Sequence, residues 1–139
     1  MRQIAALGAY MYPDDFEKYL IKSIEELEAH PERVRVACCI FMLEAQVNNG
    51  GFHQYLGNST GQFANETLVA LENISAFVTK SFLESAIAVC YKNGYPIDPK
   101  EHSKNLRNDD NVHEEIEDIN CQFYKYEDDL SALVNEYMR

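Results

Sequence analysis

Apolar side chains recur at helical spacing along almost the whole chain, and this pattern restricts the fold more than any other feature. Phe16, Leu20, Ile24 and Leu27 lie at i, i+4, i+8 and i+11, which places them on one face of an α-helix. No segment shows the sustained alternation of apolar and polar residues that a half-exposed strand requires. The sequence therefore predicts an all-α fold, with residues 1–139 forming a single compact domain of several helices.

The same spacing, combined with helix-capping and helix-breaking residues, predicts where the helices lie. Asp14 or Asp15 can begin the first helix, and Pro31 suits the first turn of the second. The second helix is apolar on nearly all sides from Val36 to Leu43 and is expected to be central. Tyr95 to Pro99 is expected to be a loop, because it contains two prolines. Four further apolar stripes predict four later helices. The first stripe is Ala64, Leu68, Leu71 and Ile74, and the second, in a helix from about Ser75 to Asn93, is Val78, Phe82, Ala86, Val89 and Cys90. The third is Val112, Ile116, Ile119 and Phe123, and the last is Leu130, Leu133, Val134 and Tyr137.

An asparagine–glycine run follows the second helix. The run Asn48-Asn49-Gly50-Gly51 is predicted to end that helix, and one of its glycines is expected to have a positive φ. A short helix from Phe52 to Leu56 follows, and residues 57–61 end it. We call residues 48–61 the glycine corner and predict that its side chains are structural, since capping requires these residue types. A small-ligand site built from the same amides is the alternative. The residues of the predicted structural motif are Asn49, Gly50, Gly51, Phe52, Gln54, Tyr55, Asn58, Ser59 and Gly61.

The net charge restricts the kinds of partner. The chain contains 23 acidic and 12 basic residues, for a net charge of −11. Such a chain repels nucleic acid and anionic membranes and attracts basic proteins, so direct binding of DNA or RNA is not expected. The apolar runs are too short to span a membrane, and the weakly apolar start is a poor signal peptide. We therefore expect a cytoplasmic protein that binds a basic partner.

The acids are concentrated near the C-terminus. Residues 109–136 contain ten acids and one base, Lys125, for a net charge of −9. A helix over residues 109–118 would carry one carboxylate per ~2.5 Å, comparable to one charge per ~1.7 Å of duplex DNA. These acids are expected to form one face that binds the partner, with Asp14 and Asp15 as further candidates; an ordinary solvated helix face is the alternative. The candidate partner-binding residues are Asp109, Asp110, Glu114, Glu115, Glu117, Asp118, Glu127, Asp128 and Asp129.

No pattern in the sequence is typical of catalysis or of a metal site. The four cysteines lack CxxC or paired Cys/His spacing and are expected to be free thiols. His53 with Glu44, and His113 with Glu117, are isolated pairs that nothing completes to a zinc site. No Ser-His-Asp arrangement, phosphate-binding loop or dinucleotide-binding motif is present. We expect a protein that is not an enzyme and uses no metal or other cofactor.

The glycine corner resembles a family of small bacterial proteins, the DNA-mimic proteins. The family pattern is Glu-Val-Asn-Asn-Gly-Gly-Phe, then Gln-Tyr-Phe, then Asn-Ser-x-Gly before an Ala-Leu-rich helix. The matching segments here are Gln46 to Phe52, Gln54 to Leu56, Asn58 to Gly61, and Ala70-Leu71. Further segments similar to the family's C-terminal half are Tyr95-Pro96, Ile119 to Tyr124, and Asp128-Asp129-Leu130. The resemblance covers about residues 34–138.

This resemblance implies an all-helical fold, a homodimer, and imitation of DNA toward a DNA-binding protein such as a regulator. Two positions depart from the pattern, since Gln46 stands in place of glutamate and Leu56 in place of phenylalanine. Both belong to the corner more than to the C-terminal acids. Because surface acids can change while a shared fold is kept, the resemblance predicts fold more directly than function.

Three functions are compatible with the sequence. The first is a DNA mimic that occupies the nucleic-acid-binding surface of a basic partner. The second is an immunity-type neutraliser of a basic toxin. The third is a scaffold or small-ligand module that uses residues 49–61, and a largest pocket lined by Asn49, Gln54, Tyr55 and Asn58 would favour it.

Overall fold

The computed structural model describes residues 21–139, which form six α-helices and two short 3-10 helices, with no β-strand among them. The α-helices are α1 (Ile24–Glu28), α2 (Glu32–Gly57), α3 (Ala64–Asn73), α4 (Phe77–Cys90), α5 (Asp110–Phe123) and α6 (Leu130–Met138). The 3-10 helices are Ser59–Phe63 and Pro99–Glu101. The predicted all-α fold is confirmed. Within this part of the chain, no helix combines the length and the apolar character needed to cross a bilayer.

The first described helix begins later than predicted. Ser23 has an extended backbone (φ −150°, ψ 160°), and its hydroxyl accepts a hydrogen bond from the Glu26 N–H at 3.1 Å. Ser23 therefore caps α1, and a helix running unbroken from Asp14 or Asp15 to Leu27 is wrong at residues 21–23. Asp14 and Asp15 themselves lie outside the described residues. Leu27 is buried, as its spacing predicted.

α2 is the central helix, as predicted. Every residue from Val36 to Leu43 is buried, and α2 packs against α3, α4, α5 and α6. A helix with neighbours on several sides has no broad solvent-facing stripe, which explains why its apolar run exceeds two turns. The predicted end of this helix at residues 48–51 is confirmed, because Gly50 and Gly51 have non-helical backbone angles. Beyond this kink a second helical segment, which we include in α2, runs to Gly57, where a short helix from Phe52 to Leu56 was predicted.

The faces predicted for α3, α5 and α6 agree largely with the structure. In α5, Val112, Ile116, Ile119 and Phe123 are all buried. The α3 stripe is buried except at Leu68, and the α6 stripe is buried at Leu130 and Val134; the other positions are half-buried. These helices are amphipathic, so the spacing of their apolar residues identifies the buried side.

α4 buries the predicted face only in part, at Ala86 and Cys90. Its buried residues are Thr79, Leu83, Ala86 and Cys90. Of the predicted stripe, Val78, Phe82 and Val89 are only half-buried. The helix is also shorter than predicted, because Ser75 has a positive φ of 63° and the helix ends at Cys90 rather than Asn93. Apolar residues lie on several sides of α4, so their spacing did not distinguish between neighbouring faces.

The connection between α4 and α5 is hydrogen-bonded to the glycine corner. The loop predicted for Tyr95 to Pro99 is present, except that Pro99 begins a 3-10 helix. His102 is buried, with its Nδ1 2.7 Å from the Leu56 carbonyl oxygen. The Tyr91 hydroxyl donates to the His102 carbonyl at 2.8 Å. These contacts hold the chain that leads into α5 against the end of α2.

Candidate protein-binding face and the glycine corner

Two glycines bend the chain within α2. Gly51 has φ 84° and ψ −179°, and Gly50 has φ −156° and ψ 16°. The positive φ predicted for one of them is therefore confirmed, at Gly51. A β-carbon at Gly51 would also lie 2.4 Å from the amide nitrogen of Asn120, which is too close for any side chain. Position 51 therefore requires glycine, both because its φ is positive and because α5 approaches it closely.

Asn120 of α5 is the side chain that approaches the corner. Its Oδ1 accepts a hydrogen bond from the Phe52 N–H at 2.9 Å, and its Nδ2 donates to Glu117 Oε1 at 3.3 Å. The amide oxygen thereby satisfies an N–H that the kink leaves without a helical partner. Asn120 is buried, and the sequence reasoning did not include it in the structural motif. A polar residue four positions after Ile116, on the apolar side of the helix, is the signal that would have identified it.

Gln46 accepts hydrogen bonds from two amides of the corner. Gln54 Nε2 and Asn58 Nδ2 both donate to Gln46 Oε1, each at 2.9 Å. Tyr55 is fully buried, and its hydroxyl donates to Thr67 Oγ1 at 2.8 Å. A glutamate at position 46 could accept the same two bonds, so the departure from the family pattern leaves this arrangement possible. The groups that a small ligand would need are therefore engaged within the protein, which supports a structural role.

The remaining corner residues are exposed or form contacts within the protein. Asn49 and Ser59 are exposed, and the Gly61 carbonyl accepts a hydrogen bond from the Tyr95 hydroxyl. The grooves beside Val69 and beside Tyr95, in the described part of the chain, are lined by residues other than Asn49, Gln54, Tyr55 and Asn58.

Glu44 of α2 is a largely buried carboxylate that contacts the α5–α6 loop. It accepts a hydrogen bond from the Tyr126 hydroxyl at 2.8 Å, and the Asn48 amide donates to the same hydroxyl at 2.9 Å. Burial raises the pKa of Glu44 to about 7, although the hydrogen bond from Tyr126 acts in the opposite direction; the charge of Asp129 raises it further. Glu44 therefore changes its charge near neutral pH.

Three of the nine candidate acids cap helices. Asp109 and Asp129 accept backbone N–H groups at 2.9 and 3.1 Å, at the starts of α5 and α6. The hydrogen bond to Asp109 also lowers the pKa of its carboxyl. Asp128 accepts the Thr79 N–H at 2.7 Å, in the first turn of α4. These three acids therefore stabilise the fold, a role that counting charges did not reveal.

Five other acids occupy the solvent side of α5. With 3.6 residues per turn, they lie opposite the buried stripe of that helix. All five are exposed, and within residues 21–139 none of them forms an ion pair. Glu127 is also exposed, but it lies in the loop beyond α5. We call the five residues the acidic face: Asp110, Glu114, Glu115, Glu117 and Asp118.

His53 and His113 lie against each other where the end of α2 meets α5. Their ring centroids are 4.6 Å apart, with the ring planes at 47°. His53 Nε2 lies 2.9 Å from the Arg107 carbonyl oxygen, and His113 Nε2 lies 2.6 Å from Asn108 Oδ1. Across the described residues, no three histidine, cysteine or acidic side chains are arranged to hold a metal ion. The pairing is therefore a packing contact between the corner and the helix that carries the acidic face.

Comparison with protein families matches residues 28–139, more than half of the chain, to a family described as DMP19-like protein. No curated protein and no solved structure matches the chain. The matched range includes the glycine corner, Asn120 and the whole acidic face. It also contains the segments that carry the resemblance to DNA-mimic proteins. The chain therefore belongs to the DMP19-like family of DNA-mimic proteins.

Proposed function

We propose that this protein is a DNA mimic whose acidic face occupies the nucleic-acid-binding surface of a basic partner protein. The proposal rests on one observation: five acids share the solvent side of a single helix, and no described cation pairs with them. Membership in the DMP19-like family suggests the same role. The partner is a DNA-binding protein, such as a regulator, and not a nucleic acid.

The spacing of the carboxylates suits a surface that normally receives phosphates. Residues 110–118 rise ~12 Å along α5, so the acidic face carries one carboxylate per ~2.5 Å, against one charge per ~1.7 Å of duplex DNA. The buried stripe of α5 and the hydrogen bond from Phe52 to Asn120 hold this helix against α2. Acids on an anchored helix are already arranged before the partner arrives, which lowers the entropic cost of binding.

The proposal includes a homodimer, a cytoplasmic location and no catalytic activity. The homodimer is implied by the family resemblance, and sedimentation analysis tests it. Cys38, Cys39 and Cys90 are buried free thiols, which fits a reducing compartment. Burial raises the pKa of each of these thiols, so they are poor nucleophiles at neutral pH.

An affinity pull-down from the native cell tests the proposed function. The immobilised protein is expected to retain a DNA-binding protein at low salt and to release it at high salt, because salt screens exposed charges. Duplex DNA added at low salt is expected to displace the same protein. Retention of a basic toxic enzyme would favour the immunity-type neutraliser instead. Retention of a partner without a basic surface, or one that DNA does not displace, would contradict mimicry.

A further inference from the structure

A groove between α2 and α3 contains no residue of the acidic face. Its volume is about 260 Å³, and its apolar wall includes Leu27, Val36, Val69 and Ala70. Val69 is 61 % exposed on α3, whereas most large aliphatic residues in the described part of the chain are buried. An exposed aliphatic side chain at a concave apolar surface is typical of a contact site for another molecule.

One carboxylate oxygen in this groove has no hydrogen-bond partner. Glu66 Oε1 is buried and accepts no hydrogen bond within the described part of the chain. Buried carboxylate oxygens normally accept at least one hydrogen bond, because removing them from water is otherwise unfavourable. Arg35 also lines the groove, but its guanidinium donates to the His30 carbonyl at 2.7 Å and forms no ion pair with Glu66. Glu66 thus brings a carboxylate with an unused acceptor to the lining of the groove, and that oxygen is itself covered from solvent.

The surface continues beyond Val69. A second depression of about 580 Å³ shares Val69 with the first and is lined also by Leu68. Its Glu72 is paired with Lys80, so the charge of that pair is already neutralised. The two depressions extend along α3, which is ~15 Å long. An elongated surface of this kind suits a segment of a polypeptide better than a small molecule.

We propose that the groove between α2 and α3 is a second docking site, for a segment of a partner protein that places an aliphatic side chain against Val69 and a lysine or arginine against Glu66. Charge complementarity identifies the cation, because the unused acceptor is a carboxylate and the chain carries a net charge of −11. The long stem of such a side chain packs along the apolar wall while its charged end reaches Glu66. This site does not depend on the proposed DNA mimicry, since the acidic face takes no part in it.

The test is an NMR titration of the full, ¹⁵N-labelled chain with two amphipathic leucine–alanine peptides. One peptide carries a single central lysine, and the other carries glutamine at that position. The lysine peptide is expected to cause saturable shifts at the amides of Glu66, Val69 and Ala70. Its affinity is expected to exceed that of the glutamine peptide by about tenfold, because a charge-assisted hydrogen bond replaces a neutral one.

Two variants separate the groove from the overall negative charge, because Glu66→Gln and Glu25→Gln each remove one charge, and Glu25 is exposed and lies outside both the groove and the acidic face. Glu66→Gln is expected to remove the preference for lysine without lowering the melting temperature, and Glu25→Gln to leave the preference intact. The proposal is overturned if the two variants weaken binding equally or if the shifts spread over α5. It is also overturned if a second copy of the chain covers the groove, which would appear as a dimer that Val69→Asp dissociates.

Discussion

The glycine corner and the acidic face use their polar groups in opposite ways. In the corner, the Gln54 and Asn58 amides and the Tyr55 hydroxyl all have partners within the protein. On the acidic face, the carboxylates of Glu114 and Asp118 are exposed and form no ion pair within residues 21–139. The residues that identify the family therefore determine the backbone. The residues proposed to bind the partner can change without loss of the fold, so function must be tested on them separately.

α5 belongs to both regions, because its two sides serve different purposes. Its buried side carries Asn120, which accepts the Phe52 N–H and so fastens α5 to the kink in α2. Its solvent side carries the acidic face. We therefore predict that substitutions on the buried side of α5 change the stability of the fold. Substitutions on its solvent side should change binding to the partner and leave stability nearly unaltered.

The largest loss of stability is expected from Gly51→Val. Both a positive φ and the contact with Asn120 oppose a side chain there, so the free energy of unfolding should fall by about 3 kcal/mol or more. Gly94→Val is the matched control, because Gly94 has a similar φ of 87° but nothing within 4 Å of an added β-carbon. It should lose only about 1–2 kcal/mol. Chemical denaturation measures both, and equal losses would show that the close approach of α5 is unimportant.

The next largest loss is expected from Asn120→Ala. This change leaves the buried Phe52 N–H without an acceptor, which should cost about 2 kcal/mol. Asn111→Ala, at an exposed position of the same helix, should change stability by less than about 0.5 kcal/mol. Thermal denaturation of both variants tests the link between the corner and α5. A loss for Asn120→Ala no greater than that for Asn111→Ala would remove Asn120 from this role.

Glu44 should make the stability of the buried region depend on pH. Its pKa is about 7 in the folded protein, against 4.5 as the ordinary value, so the folded state keeps a proton that the unfolded state loses. The stability of the native protein relative to Glu44→Gln should therefore fall as pH rises from about 4.5 to about 7, by on the order of 2 kcal/mol. Denaturation at several pH values measures this difference. A constant difference across that range would show that the pKa of Glu44 is not raised.

A smaller difference in stability is expected between two aspartates that both lie in the acidic stretch of residues 109–136. Asp128→Ala removes the hydrogen bond to the Thr79 N–H and should cost about 1 kcal/mol. Asp118→Ala removes an exposed carboxylate and should change stability by less than about 0.5 kcal/mol. Melting curves of the two variants provide the comparison. Equal changes would mean that the caps and the acidic face are not distinct groups.

The sequence predicted the features that depend on neighbours along the chain. The buried stripe of α5 and the positive φ in the run before Phe52 both follow from local patterns, and both are confirmed. The buried face of α4 was predicted only in part, at Ala86 and Cys90, because packing against α3 and α5 selects one of several apolar faces. The hydrogen bond between Asn120 and Phe52 joins residues 68 positions apart, and no local spacing predicts such a pairing.

The candidate site was predicted less completely than the fold. Counting charges identified the nine acids, but it did not separate the five on α5 from the three that cap helices. Asp109 and Asp129 precede helices, so capping rules could have assigned them. Asp128 binds Thr79, 49 positions away, and only the packing of the α5–α6 loop against α4 reveals that contact.

The central claim is that the acidic face binds the partner while contributing little to the fold. Two triple variants with the same change of charge test it, and all the substituted acids are exposed. The first variant reverses three acids of the acidic face, Glu114→Lys, Glu115→Lys and Asp118→Lys. The control reverses three acids elsewhere, Glu25→Lys, Glu28→Lys and Glu136→Lys.

The measurement is the affinity of each variant for the partner retained in the pull-down, by isothermal titration at low salt, together with its melting temperature. We predict that the acidic-face variant loses binding and the control keeps most of it. Both should melt close to the native protein, since exposed charges contribute little to stability. An acidic-face variant that binds as tightly as the control would show that these acids are only a solvated helix surface, and would contradict DNA mimicry.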